Sequence, residues 1–535
     1  MKKNKILIYN RVLLFVVPIL LISAGCQKFL DRKPLTATLD DLNQGSLEAQ
    51  SLGMYNVLRS YAGFSTLPWI DFHSIRDDDA QKGSDASDGK EIITEFETFV
   101  YSKDDWAPNT YWNDHYTMIN AANDALYIAD SLKVEDDASK RNIGEACFFR
   151  AYSYFELVKT YGEVPLLKAK IQDPLDGIKP KETVENLYAF IDSNLQVAAD
   201  YLPLNEEGWG SGFKGRLTKG AANTLWAQTY LFRSNWAKVA EKCNLVISSG
   251  QYSLLDEFSD VWRDGVNGNG KNSAESIWEM NAAIGENAAS NSSLDNGSGW
   301  GTCQQIRQNG ASQEWNLGWG WNTPTDKLVN AWDNNDPRKG KTVLYSGQSD
   351  GGPTMGGFGA VIPAYTNPDG VGGLAQKYWN KKLYTGNDPA MRQYTGFINA
   401  GNAGWINHRI LRYADVILML AEASNELGDG AKAEEMLEMI RNRASGNLGA
   451  GRTVVPFIAF ASQTQMRQAI KDERRWEFAM EGYRFYDLVR WGDAIKELGP
   501  LGYTNRCRYY PIPQQAINLS KVNGVEILKQ NPEWE

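Results

Sequence analysis

Residues 413–444 read YADVILMLAEASNELGDGAKAEEMLEMIRNRA, and this stretch decides the fold. Two helical patterns, Tyr413–Leu427 and Ala431–Ala444, flank Gly428-Asp429-Gly430, a turn of helix-breaking residues. Leu420 and Ala421 fall at the Leu-small pair of the tetratricopeptide template, Ala433 follows Ala421 by twelve residues, and Leu437 comes four later. A second pair, Thr218–Phe232 and Trp236–Ile247, fits with one extra residue in its turn. Two such hairpins predict a mainly α protein built on stacked helix pairs. Further helices are expected near Ser46–Tyr61, over Tyr111–Ser131, over about Asp137–Tyr161 with Gly162 as the stop, and over Glu182–Tyr201. A long closing helix is expected over about Thr464–Leu498, apolar on nearly every face and therefore buried. Its Glu473, Glu477 and Glu481 form a stripe that needs cationic partners. Arg474, Arg475, Arg484 and Arg490 are the candidates, and ion pairing is preferred over a catalytic cluster.

Asp264 to about Thr323 and Ser346–Gly404 are rich in Gly, Asn and Ser. Loops of this length are commonly functional or disordered. Their Trp and Tyr content argues for ordered, non-helical insertions on the helical frame. Asp77–Lys90 reads as a charged loop.

The start of the chain reads as an address label. Lys2, Lys3, Lys5 and Arg11 precede an apolar run, Val12–Ile22, and Ser23-Ala24-Gly25 leads into Cys26. That is the pattern of a secretory signal peptide, too short to span a bilayer. It looks like a bacterial lipobox with Ser23 in place of the consensus Leu, so Cys26 is the expected lipidated residue. An acylated Cys26 would tether the exported chain to a membrane. The other cysteines, Cys147, Cys243, Cys303 and Cys507, have no C-x-x-C or metal spacing. Their pairing stays open.

The 535 residues carry 55 basic and 65 acidic side chains, a net charge of -10, which argues against a nucleic-acid partner. The histidines, His73, His115 and His408, lack metal-ligand spacing. Gly265, Gly270 and Lys271 nearly spell a phosphate loop, but Asn272 stands where Ser or Thr should be. A calcium loop ending in Asp88, Gly89 and Glu95 lacks carboxylates at Ser84 and Ala86. No cofactor is expected.

Trp300, Trp315, Trp319 and Trp321 cluster in one window with Asn296, Gln304, Gln305, Arg307, Gln308, Asn309, Asn316 and Asn322, among glycines. Indole faces pack on the C–H face of a sugar, and amides and guanidinium groups are hydrogen-bond partners for its hydroxyls. Each Trp alone is more often core, but the window as a whole reads as a binding surface. Trp106, with Asn109, sits in a loop before a helix, a second place for a ligand contact.

Several blocks together resemble the SusD/RagB family of surface nutrient-binding lipoproteins. They are Cys26-Gln27-Lys28-Phe29-Leu30-Asp31, Arg150-Ala151-Tyr152 through Tyr161-Gly162-Glu163-Val164-Pro165-Leu166, and Thr218-Lys219-Gly220-Ala221-Ala222. Leu411-Arg412-Tyr413-Ala414-Asp415, Glu473-Arg474-Arg475, Glu481-Gly482-Tyr483-Arg484 and Asp487-Leu488-Val489-Arg490-Trp491-Gly492 continue the resemblance. It implies a 1–25 lipoprotein signal peptide, a 26–40 tether, a 41–260 N-terminal helical region and a 261–535 C-terminal region with its insertion at about 264–404. It implies no enzyme activity. It also implies a lipid anchor on the outer membrane, exposed at the cell surface, with glycans captured and handed to a SusC-like TonB-dependent transporter. Trp106 and Asn109 have the spacing of a sugar-contacting pair in the family's founder, Arg76 is the nearest upstream arginine, and Trp300, Trp319 and Trp321 fall in its mid-chain platform region. Some relatives take peptides. A surface glycosidase and a protein-only helical adaptor are the alternatives.

Overall fold

The computed structural model describes residues 46–60, 62–210, 214–263, 270–282, 299–309, 314–387 and 406–535. The signal peptide, the tether, Cys26 and Asn296 lie outside the described residues. Contacts divide the chain into Met1–Ala49 and Gln50–Glu535, and the helical frame belongs to the second unit.

Helices dominate. After Ser46–Ser60 come α1 (Trp106–Leu132), α2 (Asp137–Tyr161), α3 (Val184–Tyr201), α4 (Lys219–Phe232), α5 (Trp236–Ser248), α6 (Tyr413–Glu426) and α7 (Gly430–Ala444). Each packs against the next, α5 against α6 included, although a long insertion separates those two in the chain. This nearest-neighbour stacking is the arrangement of helical repeats. The starts are chemically marked. The Asp136, Thr183, Thr218, Asn235 and Asp429 side chains each accept a backbone N–H of the first turn. Gly162, at φ 77°, stops α2 as expected.

The expected closing helix is three helices: α8 (Gln463–Glu477), α9 (Arg484–Trp491) and α10 (Ala494–Leu498). Met480 (φ 67°) and Gly482 (φ 81°) turn the chain between the first two. A Cβ at Gly482 would lie 2.6 Å from the Trp69 ring, so the turn also needs that close approach.

Short two-stranded antiparallel pairs pin the irregular segments to this frame. β1 (Ala80–Gly83) pairs with β3 (Trp321–Pro324), β2 (Ser276–Met280) with β6 (His408–Arg412), and β4 (Val343–Tyr345) with β5 (Tyr378–Asn380). Asp77–Lys90 is thus not a plain loop. It contains β1, and Asp77, Asp78 and Asp79 are buried, the latter two paired with Arg484 and Arg475. No described helix is long and apolar enough to cross a membrane. The four described cysteines are free and buried.

Candidate ligand face

Trp106 is the first residue of α1, not part of a preceding loop. Asp105 makes it so, because its carboxylate accepts the Trp106 backbone N–H at 2.7 Å. Asn109 Nδ2 donates to the Asp105 carbonyl at 2.6 Å, locking that first turn. Trp106 is 44% exposed, the most open tryptophan among the described residues. A flat apolar ring is therefore held in solvent by a rigid helix end.

Two further carboxyl groups, Glu95 and Asp71, lie near Asp105. Glu95 accepts the Ser102 N–H at 2.8 Å and the Tyr510 hydroxyl. Burial, then the Asp105 carboxyl, push Glu95 up to about 8. Asp71 is fully buried with neither oxygen hydrogen-bonded, and burial, then Glu95 and Asp105, push its carboxyl well up. At about 8, Glu95 keeps its proton at neutral pH, which lowers the cost of burying it.

The mid-chain window differs from its sequence reading. Trp300 is buried, stacked on His408 at 3.7 Å and 13°, and meets Trp69 edge-on at 5.0 Å. Trp315 packs into a core with Ile306, Leu317, Leu344 and Trp379. Trp321 is buried in β3 under the Lys82 ammonium, 5.3 Å from its ring. Its ring lies against Gly89 (φ +56°), where a Cβ would sit 2.4 Å away. Only Trp319 of the four stays half-buried, with its backbone N–H donating to the Thr302 carbonyl at 2.9 Å. Gly318 beside it permits that approach, since a Cβ there would lie 2.3 Å from the same oxygen.

The surrounding amides are spent on structure rather than open to hydroxyls. Gln304 Oε1 accepts from Asn322 at 2.6 Å and from Asn380 at 3.2 Å, and Gln305 Oε1 accepts from Thr385 at 2.7 Å. Arg307 pairs with Asp85 and Asp88, Asn309 donates to Asp85, and Gln308 and Asn316 accept backbone N–H groups. Arg76 is also interior. It donates to Tyr101 at 3.0 Å and to the Cys507 carbonyl at 3.1 Å, with its guanidinium 3.9 Å from the Phe485 ring centre. Arg76, Trp300, Trp315 and Trp321 thus do not face solvent, and Trp106, Asn109 and Trp319 are left as the expected site residues with access to it.

The glutamate stripe is paired, but not by its own helix. Glu473 meets Arg338 and Arg441; Glu477 meets Arg338, Arg412 and Arg443; Glu481 meets Arg412 and Lys382. Burial, which alone would raise Glu477, is outweighed by Arg443, Arg412 and Arg338, which hold its carboxyl far below the usual range. The helix's own arginines reach elsewhere: Arg474 to Asp415 and Asp487, Arg475 to Asp79, Arg484 to Asp78, Arg490 to Glu422. Among the described residues no cluster of three or more acidic, His or Cys side chains suits a metal.

A helix-pair scaffold with long irregular insertions and an exposed indole at the start of α1 defines the class. Residues 274–506 match the SusD family, and residues 28–231 match a SusD-like family described as starch-binding and associating with the outer membrane. The chain belongs to the SusD/RagB family. It is 27% identical over 482 residues to SusD-like protein P2 of Formosa agariphila, covering 86% of each chain. A SusD-like protein of Bacteroides ovatus is 24% identical over 534 residues, 95% of this chain and 87% of that one. Among solved structures, a laminarin binding SusD-like protein superposes with a TM-score of 0.69 at 25% identity, covering 91% of this chain and 98% of that one. The surface glycan-binding protein A of Bacteroides fluxus gives 0.70 at 23% identity, covering 91% and 99%.

Proposed function

We propose that this protein is a non-catalytic, cell-surface lipoprotein that captures glycans and passes them to a TonB-dependent outer-membrane transporter. Cys26 carries the lipid, and Trp106, Asn109 and Trp319 contribute to the sugar contact. The observation that carries the reading is the Trp106 indole, held open to solvent at a capped helix end. An open aromatic platform binds a sugar face without any reacting group. The naming of a relative as laminarin binding supports a glycan over a peptide. The Glu473–Glu477–Glu481 cluster is saturated by cations, which supports a structural role over glycosidase chemistry.

Affinity electrophoresis against a glycan panel tests the capture step. Retardation by one or more glycans, weakened in Trp106→Ala, is expected. Co-purification with a transporter and no retardation by any glycan would favour the protein-only adaptor. Membrane fractionation of Cys26→Ala tests the anchor, with release from the membrane as the expected result.

A further inference from the structure

On the flank of the helical frame, the ends of α2 and α4, the start of α3, and α9 enclose a groove of about 560 Å³ with the segment around Arg508. Small-molecule sites span about 300–1,000 Å³. Partly exposed Tyr188, Phe232 and Tyr509 supply aromatic walls.

The charge of the lining is unusual for this chain. Lys159, Arg233, Arg490 and Arg508 face it against a single acid, Glu185, whereas the whole protein carries -10. Three of these cations are fixed by carboxylates outside the lining. Lys159 is held by Glu156 at 2.7 Å, Arg233 by both oxygens of Asp192 at 2.8 Å, and Arg490 by Glu422 and Asp487. Arg508 differs. It is exposed, 5.1 Å from the Tyr509 ring, and forms no ion pair or side-chain hydrogen bond among the described residues. A free guanidinium offers a planar fork of N–H donors to an oxyanion.

We propose that this groove is a second ligand site, distinct from the Trp106 face, for an anionic sugar unit: a pyranose bearing a carboxylate or a sulfate. The ring lies against Tyr509 and Tyr188, and Arg508 takes the oxyanion. With the other three cations neutralised by their carboxylates, the attraction for an anion comes from Arg508, whose charge no neighbour cancels. This deepens the glycan-capture reading and rests on it.

Calorimetric titration of the mature protein with oligogalacturonate, a sulfated galactan oligosaccharide and neutral laminarin oligosaccharide provides the test. Each is run on wild type, Arg508→Gln and Trp106→Ala. One or both acidic ligands should bind, more weakly at high salt, and Arg508→Gln should weaken that binding about tenfold or more with laminarin affinity and melting temperature unchanged. Which acidic ligand responds assigns the group as carboxylate or sulfate. Equal acidic affinity in wild type and Arg508→Gln overturns the groove, as does acidic binding lost only in Trp106→Ala. Laminarin binding with no acidic binding overturns the groove and leaves the glycan-capture reading standing. Failure of all three, with starch oligosaccharide also unbound, overturns both.

Discussion

Arg412 Nη1 lies 2.6 Å from Glu477 Oε1, and the two side chains are 1% and 0% exposed. Arg412 ends β6 and precedes α6, while Glu477 ends α8. One ion pair therefore joins the strand that holds the insertion to the helix that closes the frame. Arg338 and Arg443 share the same carboxylate. Glu477→Gln leaves three buried guanidinium groups short of an anion. It should cost about 3–5 kcal/mol in urea unfolding. The exposed pair Lys432–Glu435, at 3.0 Å, should cost under about 1 kcal/mol when broken. Similar small losses for both would show that the buried network contributes little.

Trp106 and Trp300 should separate binding from folding. Trp106→Ala should lower glycan affinity about tenfold with an unchanged melting temperature, and Trp319→Ala should act in the same direction. Trp300→Ala removes the ring stacked on His408 and should destabilise by about 3–5 kcal/mol. Loss of stability in Trp106→Ala at unchanged affinity would make that ring a packing residue.

Stability should fall at both ends of the pH range. Burial, then Lys159, hold His73 down to about 4, against Glu156 at 2.9 Å. Its folded value lies below its unfolded value of about 6.5, so its contribution is present above that and lost as pH falls through about 4. Glu95 has the opposite sign. It is raised to about 8, so its contribution is present below about 4.5 and lost as pH rises through about 8. Urea midpoints across pH should show both limbs. Glu95→Gln should flatten the alkaline limb and His73→Gln the acid one; an unaltered limb in either variant contradicts the assignment.

Cys147, Cys243, Cys303 and Cys507 are free and buried. Burial pushes the Cys147 thiol up to about 11. A thiol reagent should label none of these four in the native protein and all four in denaturant. Fast native labelling at Cys147 or Cys303 would show that the packing around them opens.

What the sequence made legible was local. The limits of α2, Asp137 and Tyr161, follow from periodicity and Gly162, and the α6–α7 pair follows from Leu420, Ala421 and Ala433. The family was legible too, in motifs spread along the chain. Long-range partners were not. Trp300 is core because His408, more than a hundred residues away, offers it a ring to stack on. Glu477 draws its arginines from other segments, and no spacing within α8 and α9 announces them. The break at Met480 and Gly482 was hidden because apolar residues run through it. Asp105 preceding Trp106 was the one available sign that the helix begins five residues before Tyr111.

The most direct measurement is calorimetric titration of the mature protein with laminarin and starch oligosaccharides, with the ligand recovered and sized afterwards. Saturable binding of at least one glycan, weakened in Trp106→Ala and with the sugar chains recovered at full length, is the predicted result. Shortened chains whose release stops in Glu95→Gln or Asp105→Asn would contradict the account and make the protein a glycosidase.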